Sequence, residues 1–199
     1  MNLPSEKYDV ILADPPWSHY GQQDKWGAAA KFYSLMDDEA LKRLDVARLA
    51  KPESVLFCWA TCPRLDFAID LVRHWGFHYR GVAFVWVKTR KDGVPIGARG
   101  VRPSIVKPTT ELVIAASMKA KGRPMPLASE AIAQVVLAPT GRHSAKPEAV
   151  HERIEALYPA AKRIELFARE QRNGWTVWGN EITDCPSPSS GYDNSGRAA

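Results

Sequence analysis

Six short apolar runs, at residues 10–13, 54–59, 82–87, 112–116, 133–137 and 164–167, recur along this chain with helical periodicity between several of them. Runs this short, rich in β-branched residues, suit buried strands, and strands alternating with helices fold as an open α/β sheet of the doubly wound kind. Residues 64–75 carry Leu65, Ala68, Ile69, Val72 and Trp75 at helical spacing, with Gly76 as a stop. Residues 147–157 place Val150, Ile154 and Leu157 behind Pro147, a residue suited to a helix's first turn. Residues 37–49 read as a third helix with Asp37 as its N-cap. The sequence shows no internal repeat.

A chain of 199 residues that is 45% hydrophobic fits one domain with a real core. We expect that domain over residues 1–182, followed by a disordered tail at 183–199 that is rich in Ser, Pro, Gly and Asp and has no apolar face. The net charge of +5 suits a polyanion such as nucleic acid, although a merely soluble basic protein has the same balance. Cys58 and Cys62 have neither the spacing nor the histidine companions of a zinc site, so we expect reduced, buried thiols and no metal. Residues 1–8 contain no leader, and the longest uncharged apolar stretch, 82–87, is too short to span a bilayer. A cytoplasmic protein that does not engage membrane is expected.

The first apolar run ends in Asp14-Pro15-Pro16-Trp17. Ligands of open α/β sheets gather beyond the carboxyl ends of the strands, so this tetrapeptide starts where a reactive site belongs. Two prolines have fixed φ and no N–H, which makes the strand exit stiff and leaves bare carbonyls. An exocyclic amine on a nucleobase is a poor nucleophile because its lone pair is delocalised into the ring. If the carboxylate of Asp14 accepts one of its N–H groups and the carbonyl of Pro15 the other, the lone pair localises, and the indole of Trp17 offers a stacking face. That constellation suits alkylation of an amino group. The same letters also suit an ordinary strand-ending turn with Trp17 as a core plug.

Residues 88–108 hold Lys88, Arg90, Lys91, Arg99, Arg102 and Lys107 against only Asp92, interleaved with glycines and prolines. A long loop of that composition is a candidate phosphate-binding lid or a solvated flexible connection. Further on, Lys146 precedes a predicted helix, Phe167 and Arg169 end a predicted strand, and Asn180 and Glu181 follow an aromatic-rich segment. S-adenosylmethionine needs a cation for its carboxylate, acceptors for its ribose hydroxyls and an aromatic or amide contact for its adenine. These five residues supply those chemistries, although each taken singly also suits a solvated charge, a core aromatic or a turn. Gly93, Gly97 and Gly100 have the wrong spacing for a dinucleotide loop.

Taken in order, Asp14-Pro15-Pro16-Trp17, Trp75-Gly76-Phe77, Trp86-Val87-Lys88, Glu111, His143-Ser144-Ala145-Lys146-Pro147, Leu166-Phe167-Ala168-Arg169, Gly174-Trp175 and Gly179-Asn180-Glu181 resemble the N6-adenine methyltransferase family typified by the catalytic subunit of the eukaryotic mRNA adenosine methyltransferase. The resemblance runs from about Tyr8 to Glu181. It implies a Rossmann-like methyltransferase domain in the permuted order, with a mostly parallel central sheet and helices on both faces. It implies that Asp14 and Pro15, with Pro16 and Trp17 in the same motif, hold the target amine, and that Tyr33 and Glu111 line the adenosine pocket. From the basic segment, Lys88, Arg99 and Arg102 are expected to join them on the substrate side as phosphate contacts. Lys146, Phe167, Arg169, Asn180 and Glu181 then surround S-adenosylmethionine, with Asp14 facing it.

Two features depart from the family. The segment between Arg169 and Trp175 is shorter, so that Arg172 or Asn173 stands where a cofactor-contacting asparagine is found, and the first strand lies almost at the start of the chain, which implies a more open cofactor site. The implied activity is methylation of N6 of adenine in nucleic acid, DNA in preference to RNA, with a second copy or a partner subunit helping to hold the substrate. The alternatives are a noncatalytic nucleic-acid-binding partner subunit and an enzyme acting on cytosine N4 or a glutamine amide.

Overall fold

The computed structural model describes residues 3–16, 36–98, 105–141, 145–180 and 182. Strands β1 (Tyr8–Ala13), β2 (Ala50–Thr61), β3 (His78–Thr89), β4 (Thr110–Ser117), β5 (Val135–Pro139), β6 (Arg163–Leu166) and β7 (Trp175–Trp178) make one seven-stranded sheet in the order β5-β3-β4-β2-β1-β6-β7. The helices are α1 (Asp38–Lys42), α2 (Leu65–His74) and α3 (Glu148–Leu157), with 3-10 turns at Val46–Leu49 and Cys62–Arg64.

The α/β class agrees with the expectation, but the sheet is mixed. Strand β4 runs antiparallel to both β2 and β3, whereas β1 pairs parallel with β2 and β6, β6 with β7, and β3 with β5. The chain between β3 and β4 makes a direct return, which an antiparallel pair permits and a parallel pair does not.

Strand β1 is the centre of the packing. Val10, Ile11, Leu12 and Ala13 are all fully buried, as a strand covered on both faces must be. Alternation sends Ile11 and Ala13 to one face, where they meet Leu56, Cys58 and Ala60 of β2, Leu41 of α1, and Ala68, Leu71 and Val72 of α2. Val10 and Leu12 point to the other face, against Phe57 and Trp59 of β2, Phe84 and Trp86 of β3, and Val150 and Ile154 of α3. Helices thus cover both faces. Each fully buried Leu, Ile or Val contributes about 1.5–3 kcal/mol of transfer free energy.

Helix α2 ends as the sequence predicts. Gly76 adopts φ 83°, and Phe77 N donates to Val72 O (3.0 Å) while Gly76 N donates to Arg73 O (2.9 Å), which closes a Schellman cap. The Trp75 indole donates to Leu41 O at 2.9 Å and ties α2 to α1. The cap at Asp37 is present too, its carboxylate accepting from Ala40 N at 2.6 Å. The helix it begins is shorter than expected, because residues 37–49 break at Leu44 and Asp45 into α1 and a 3-10 turn. At about 100° per residue, a single helix would point Leu41 and Val46 some 140° apart. The break lets Leu41, Val46 and Leu49 all be fully buried.

Three further expectations are corrected. Strand β7 lies in a segment read only for its aromatic residues, and its pairing with β6 makes it the sheet's edge. Cys58 is buried, but Cys62 is exposed and its sulfur lies 3.3 Å from the Thr110 hydroxyl. Not all of the proline carbonyls at the strand exit are bare, since Pro16 O accepts from Met36 N at 3.0 Å. The tail at 183–199 lies outside the described residues. No helix among the described residues is long and apolar enough to cross a membrane.

Beyond β6, Phe167 takes a left-handed φ of 63°, a conformation that costs a side-chain-bearing residue about 1–3 kcal/mol. The turn brings Ala168 N onto Trp178 O at 3.0 Å, so that Gly179 lies directly against the Ala168 backbone. A Cβ at position 179 would fall onto the Ala168 carbonyl oxygen and within 2.8 Å of its nitrogen. Gly179→Ala is therefore expected to destabilise the domain by roughly 1–3 kcal/mol through overpacking of backbone that cannot yield, measured as a lowered urea midpoint with an unchanged slope.

Candidate functional site

The carboxyl ends of β1, β3, β6 and β7, and the start of the reversed strand β4, share one edge of the sheet. The last ladder bond of β1 runs from Asp14 N to Leu166 O at 3.3 Å, after which Pro15 and Pro16 have no N–H to continue it. Alternation along β1 puts the Asp14 side chain on the face of Val10 and Leu12, the α3 face. Lys146, just before α3, meets it there: its ammonium lies 2.9 Å from Asp14 Oδ2 and 3.4 Å from Glu111 Oε2. Lys88, at the end of β3, donates to the other oxygen of Glu111 at 2.6 Å. Four predicted site residues from separate segments therefore form one chain of contacts, Asp14–Lys146–Glu111–Lys88, with two charges of each sign.

The floor beneath these charges is aromatic. Lys146 lies 5.3 Å from the ring centroid of Trp59 and Lys88 5.0 Å from that of Trp86, and the two indoles meet edge to face at 6.1 Å. The Trp86 indole is fixed by donation to Ala138 O at 2.9 Å. Trp59 and Trp86 are site residues to which sequence reasoning gave no role: Trp59 stood only in an apolar run and Trp86 only as a letter of the Trp86-Val87-Lys88 motif. The signal they share is parity, since Trp59 and Trp86 lie on the same sheet face as Asp14 and Glu111.

Burial and charge oppose each other at these groups. Burial works against the ammonium of Lys146, but Asp14 and then Glu111 outweigh it and hold its pKa above the ordinary value. Burial likewise disfavours the Glu111 carboxylate, yet Lys146 and then Lys88 leave it below the ordinary value. Cys58, on the opposite face of β2, is pushed strongly up by burial and, to a lesser degree, by the negative charge of Asp14, which leaves it an inert thiol.

Among the described residues, Phe167, Arg169 and Asn180 lie along the same edge. Phe167 packs edge to face on Trp178 at 5.5 Å. Arg169 follows it, and its charge opposes protonation of Lys146. Asn180 is exposed, immediately beyond Gly179. Arg172, in the shortened segment, forms a bidentate pair with Glu148 of α3. Trp17, Tyr33, Arg99, Arg102, His143 and Glu181 lie outside the described residues.

The basic segment has more structure than its composition suggests. Lys88 and Thr89 belong to β3, and the chain then turns tightly, with Gly93 N donating to Arg90 O (3.0 Å) and Arg90 N to Val94 O (2.8 Å). Arg90 pairs with Asp92 at 3.0 Å. Lys119, the first of the cations Lys119, Lys121 and Arg123, lies past the other end of β4, whose Ser117 pairs with Val55 within β2 and with His78 at the start of β3, so that run belongs to the opposite edge of the sheet.

Sequence reasoning also missed Arg64. This buried guanidinium pairs with Asp38 at 2.5 Å and stacks 4.2 Å from the Phe67 ring, which fixes the start of α1 against the end of β2. Because Met36 N holds Pro16 O two residues earlier, the pair also holds the chain that returns to the proline exit.

The charge cluster makes a prediction about stability. Glu111, depressed on folding from 4.5, contributes stability that is fully present above that value and is lost as pH falls through the folded pKa. Lys146, raised from 10.5, contributes stability present below that value and lost as pH rises through the folded pKa. Glu111→Gln should cost on the order of 2 kcal/mol at neutral pH, flatten the acid limb of the stability profile and shorten the alkaline limb, since Lys146 then keeps only Asp14 to raise it, as read by urea unfolding across pH.

Comparison with known proteins agrees with the motif order. A family model described as MT-A70 matches residues 8–181. The type II methyltransferase M.MunI of Mycoplasma sp is 35% identical over 201 residues, which cover 92% of this chain and 81% of that protein. Two human proteins are each 25% identical over 88% of this chain: the N(6)-adenosine-methyltransferase catalytic subunit METTL3 and the N(6)-adenine-specific methyltransferase METTL4. The chain spans only 28% and 37% of their respective lengths. With the whole seven-stranded sheet inside the matched region, the chain belongs to the MT-A70 family.

Proposed function

We propose that this protein is an S-adenosylmethionine-dependent methyltransferase that modifies N6 of adenine in nucleic acid, with DNA as the preferred substrate, and that its domain is a Rossmann-like variant with one reversed strand. The observation that carries this reading is the contact between Lys146 Nζ and Asp14 Oδ2 at 2.9 Å, which aims a carboxylate at a nitrogen donor at the end of the doubly buried strand β1. Family membership and the names of METTL3 and METTL4 support N6 of adenine as the acceptor. The net charge of +5 supports a polyanionic substrate, and the match along most of the length of a type II methyltransferase supports DNA.

The residues along the site edge fit the cofactor by the chemistry of their donors and acceptors. Arg169 and Lys146 are cations suited to its carboxylate, Asn180 suits its hydroxyls, Phe167 offers a ring to its adenine, and Asp14 faces the reactive end. When bound, S-adenosylmethionine supplies a methyl group on a sulfonium, an electrophile that needs a localised lone pair.

The protein's task is to present that lone pair. An ionised carboxylate has about four acceptor sites on its two oxygens. Lys146 uses one of them and pins the orientation of Asp14, so the carboxylate retains capacity for an N–H of the target amine, and the Pro15 carbonyl takes the other N–H. Nitrogen becomes cationic as the new C–N bond forms, and Asp14 stabilises that charge. The amine becomes acidic only then, so no base has to remove its proton beforehand. Glu111, held by Lys88 and Lys146, presents a carboxylate to the adenine side of the pocket.

Incubation with labelled S-adenosylmethionine and single-stranded DNA, duplex DNA or RNA, followed by nucleoside analysis, tests the assignment. N6-methyladenine is expected, with most in DNA. N4-methylcytosine, or no transfer with no cofactor binding, overturns it. Asp14→Asn should lower turnover on the order of a hundredfold or more while the protein stays folded, its unfolding midpoint lowered about as much as by Glu111→Gln because Lys146 loses a charged partner. Arg169→Ala and Asn180→Ala should each weaken S-adenosylmethionine binding by about 1–3 kcal/mol in calorimetric titration.

A further inference from the structure

Ile105 and Val106 are 88% and 70% exposed, the two most exposed large hydrophobic side chains among the described residues. They are neighbours in sequence, and nothing among the described residues requires two branched apolar side chains to stand together in water. Single exposed apolar residues are ordinary, but a contiguous pair marks a contact surface.

Their position is fixed by Lys88. The backbone N–H of Lys88 donates to Thr109 O at 3.0 Å, and its carbonyl accepts from Ile96 N at 2.9 Å. The loop therefore leaves and returns at one residue, whose ammonium holds Glu111. Two residues separate Val106 from Thr109, so over three steps of about 3.5 Å it stays within roughly 10 Å of the backbone that borders the site. Lys107 follows directly, and the hairpin beside Lys88 carries exposed Arg90 and Lys91. Val135 and Leu137, also exposed, are separate: Val136 between them is buried in the α3-side core, so they face the other side of the sheet.

We propose that Ile105 and Val106 are an apolar wedge that enters duplex DNA at the target adenine and fills the gap it leaves in the stack, with Lys107, Arg90 and Lys91 on the flanking phosphates. This rests on adenine being the substrate. A base paired inside a duplex cannot reach Asp14, so it must be extruded, and the cost of unstacking it is offset when apolar side chains take its place. Cations beside an apolar tip match the two parts of such a surface, phosphate outside and bases within. The wedge acts only on paired DNA, since a single strand has no stack to open.

The test compares wild type with the double variant Ile105→Ser/Val106→Ser, using labelled S-adenosylmethionine and one genomic DNA preparation supplied either as duplex or heat-denatured. The expected result is a loss of about tenfold in kcat/KM on duplex, less than twofold on denatured DNA, and near-wild-type S-adenosylmethionine affinity. Ile105→Leu/Val106→Leu should restore duplex activity. Equal loss on both DNA forms, with or without a change in sedimentation, would mark the pair as a structural or protein-docking element and overturn the wedge. So would undiminished duplex activity, or wild type acting on single strands alone. Absence of N6-methyladenine from wild type on every nucleic acid would instead overturn the substrate assignment itself.

Discussion

Lys146 between Asp14 and Glu111 is the interaction on which the site depends. Placing a lone ammonium there would carry a heavy desolvation cost, and so would either carboxylate without it. Together with Lys88 the four groups cancel in charge, and each is mostly buried with a partner at hand. The cluster links the end of β1, the end of β3, the start of β4 and the segment before α3. An electrostatic requirement thus fixes the relative placement of elements that backbone pairing alone leaves adjustable, since Lys146 lies in no strand.

The two halves of the site are anchored differently. The substrate half, with Asp14, Glu111 and Lys88, is held by ion pairs over an aromatic floor. The half proposed for the cofactor is held by backbone: the left-handed turn at Phe167, the bond from Ala168 N to Trp178 O, and the absence of a side chain at Gly179. Charges can rearrange around an incoming amine, whereas backbone contacts of this kind keep a fixed shape.

Much of this was legible in the residues. Apolar runs mark six of the seven strands, Gly76 marks the end of α2, and Asp37 marks the start of α1, because burial, a positive φ and an N-cap are local demands that leave local signatures. Strand β7 escaped because four residues at an edge, only one of them buried, carry little periodicity. The break after α1 escaped because it answers to packing against β2 and α2, which no window of sequence contains. Asp14, Glu111, Lys146 and Lys88 were each identifiable by motif, but their contact was not, since it depends on the direction of β4. Trp59 was hidden by its own hydrophobicity, and Trp86 was marked by its motif but not by a role, a core residue and a site floor having the same composition.

The reversal of β4 has a consequence for how such a domain can diversify. In a wholly parallel sheet the chain re-enters each strand at the edge away from the ligand, so a loop at the reactive edge must connect strand to helix. Here the chain returns to the sheet at the reactive edge itself, and Lys88 closes the excursion with one donor and one acceptor. Closing a longer loop costs only about 0.6 kcal/mol for each doubling of its length. Segments of very different size can therefore be exchanged between Ile96 and Thr109 without disturbing the ladder, leaving the transfer chemistry constant while the surface that meets the polymer is free to evolve.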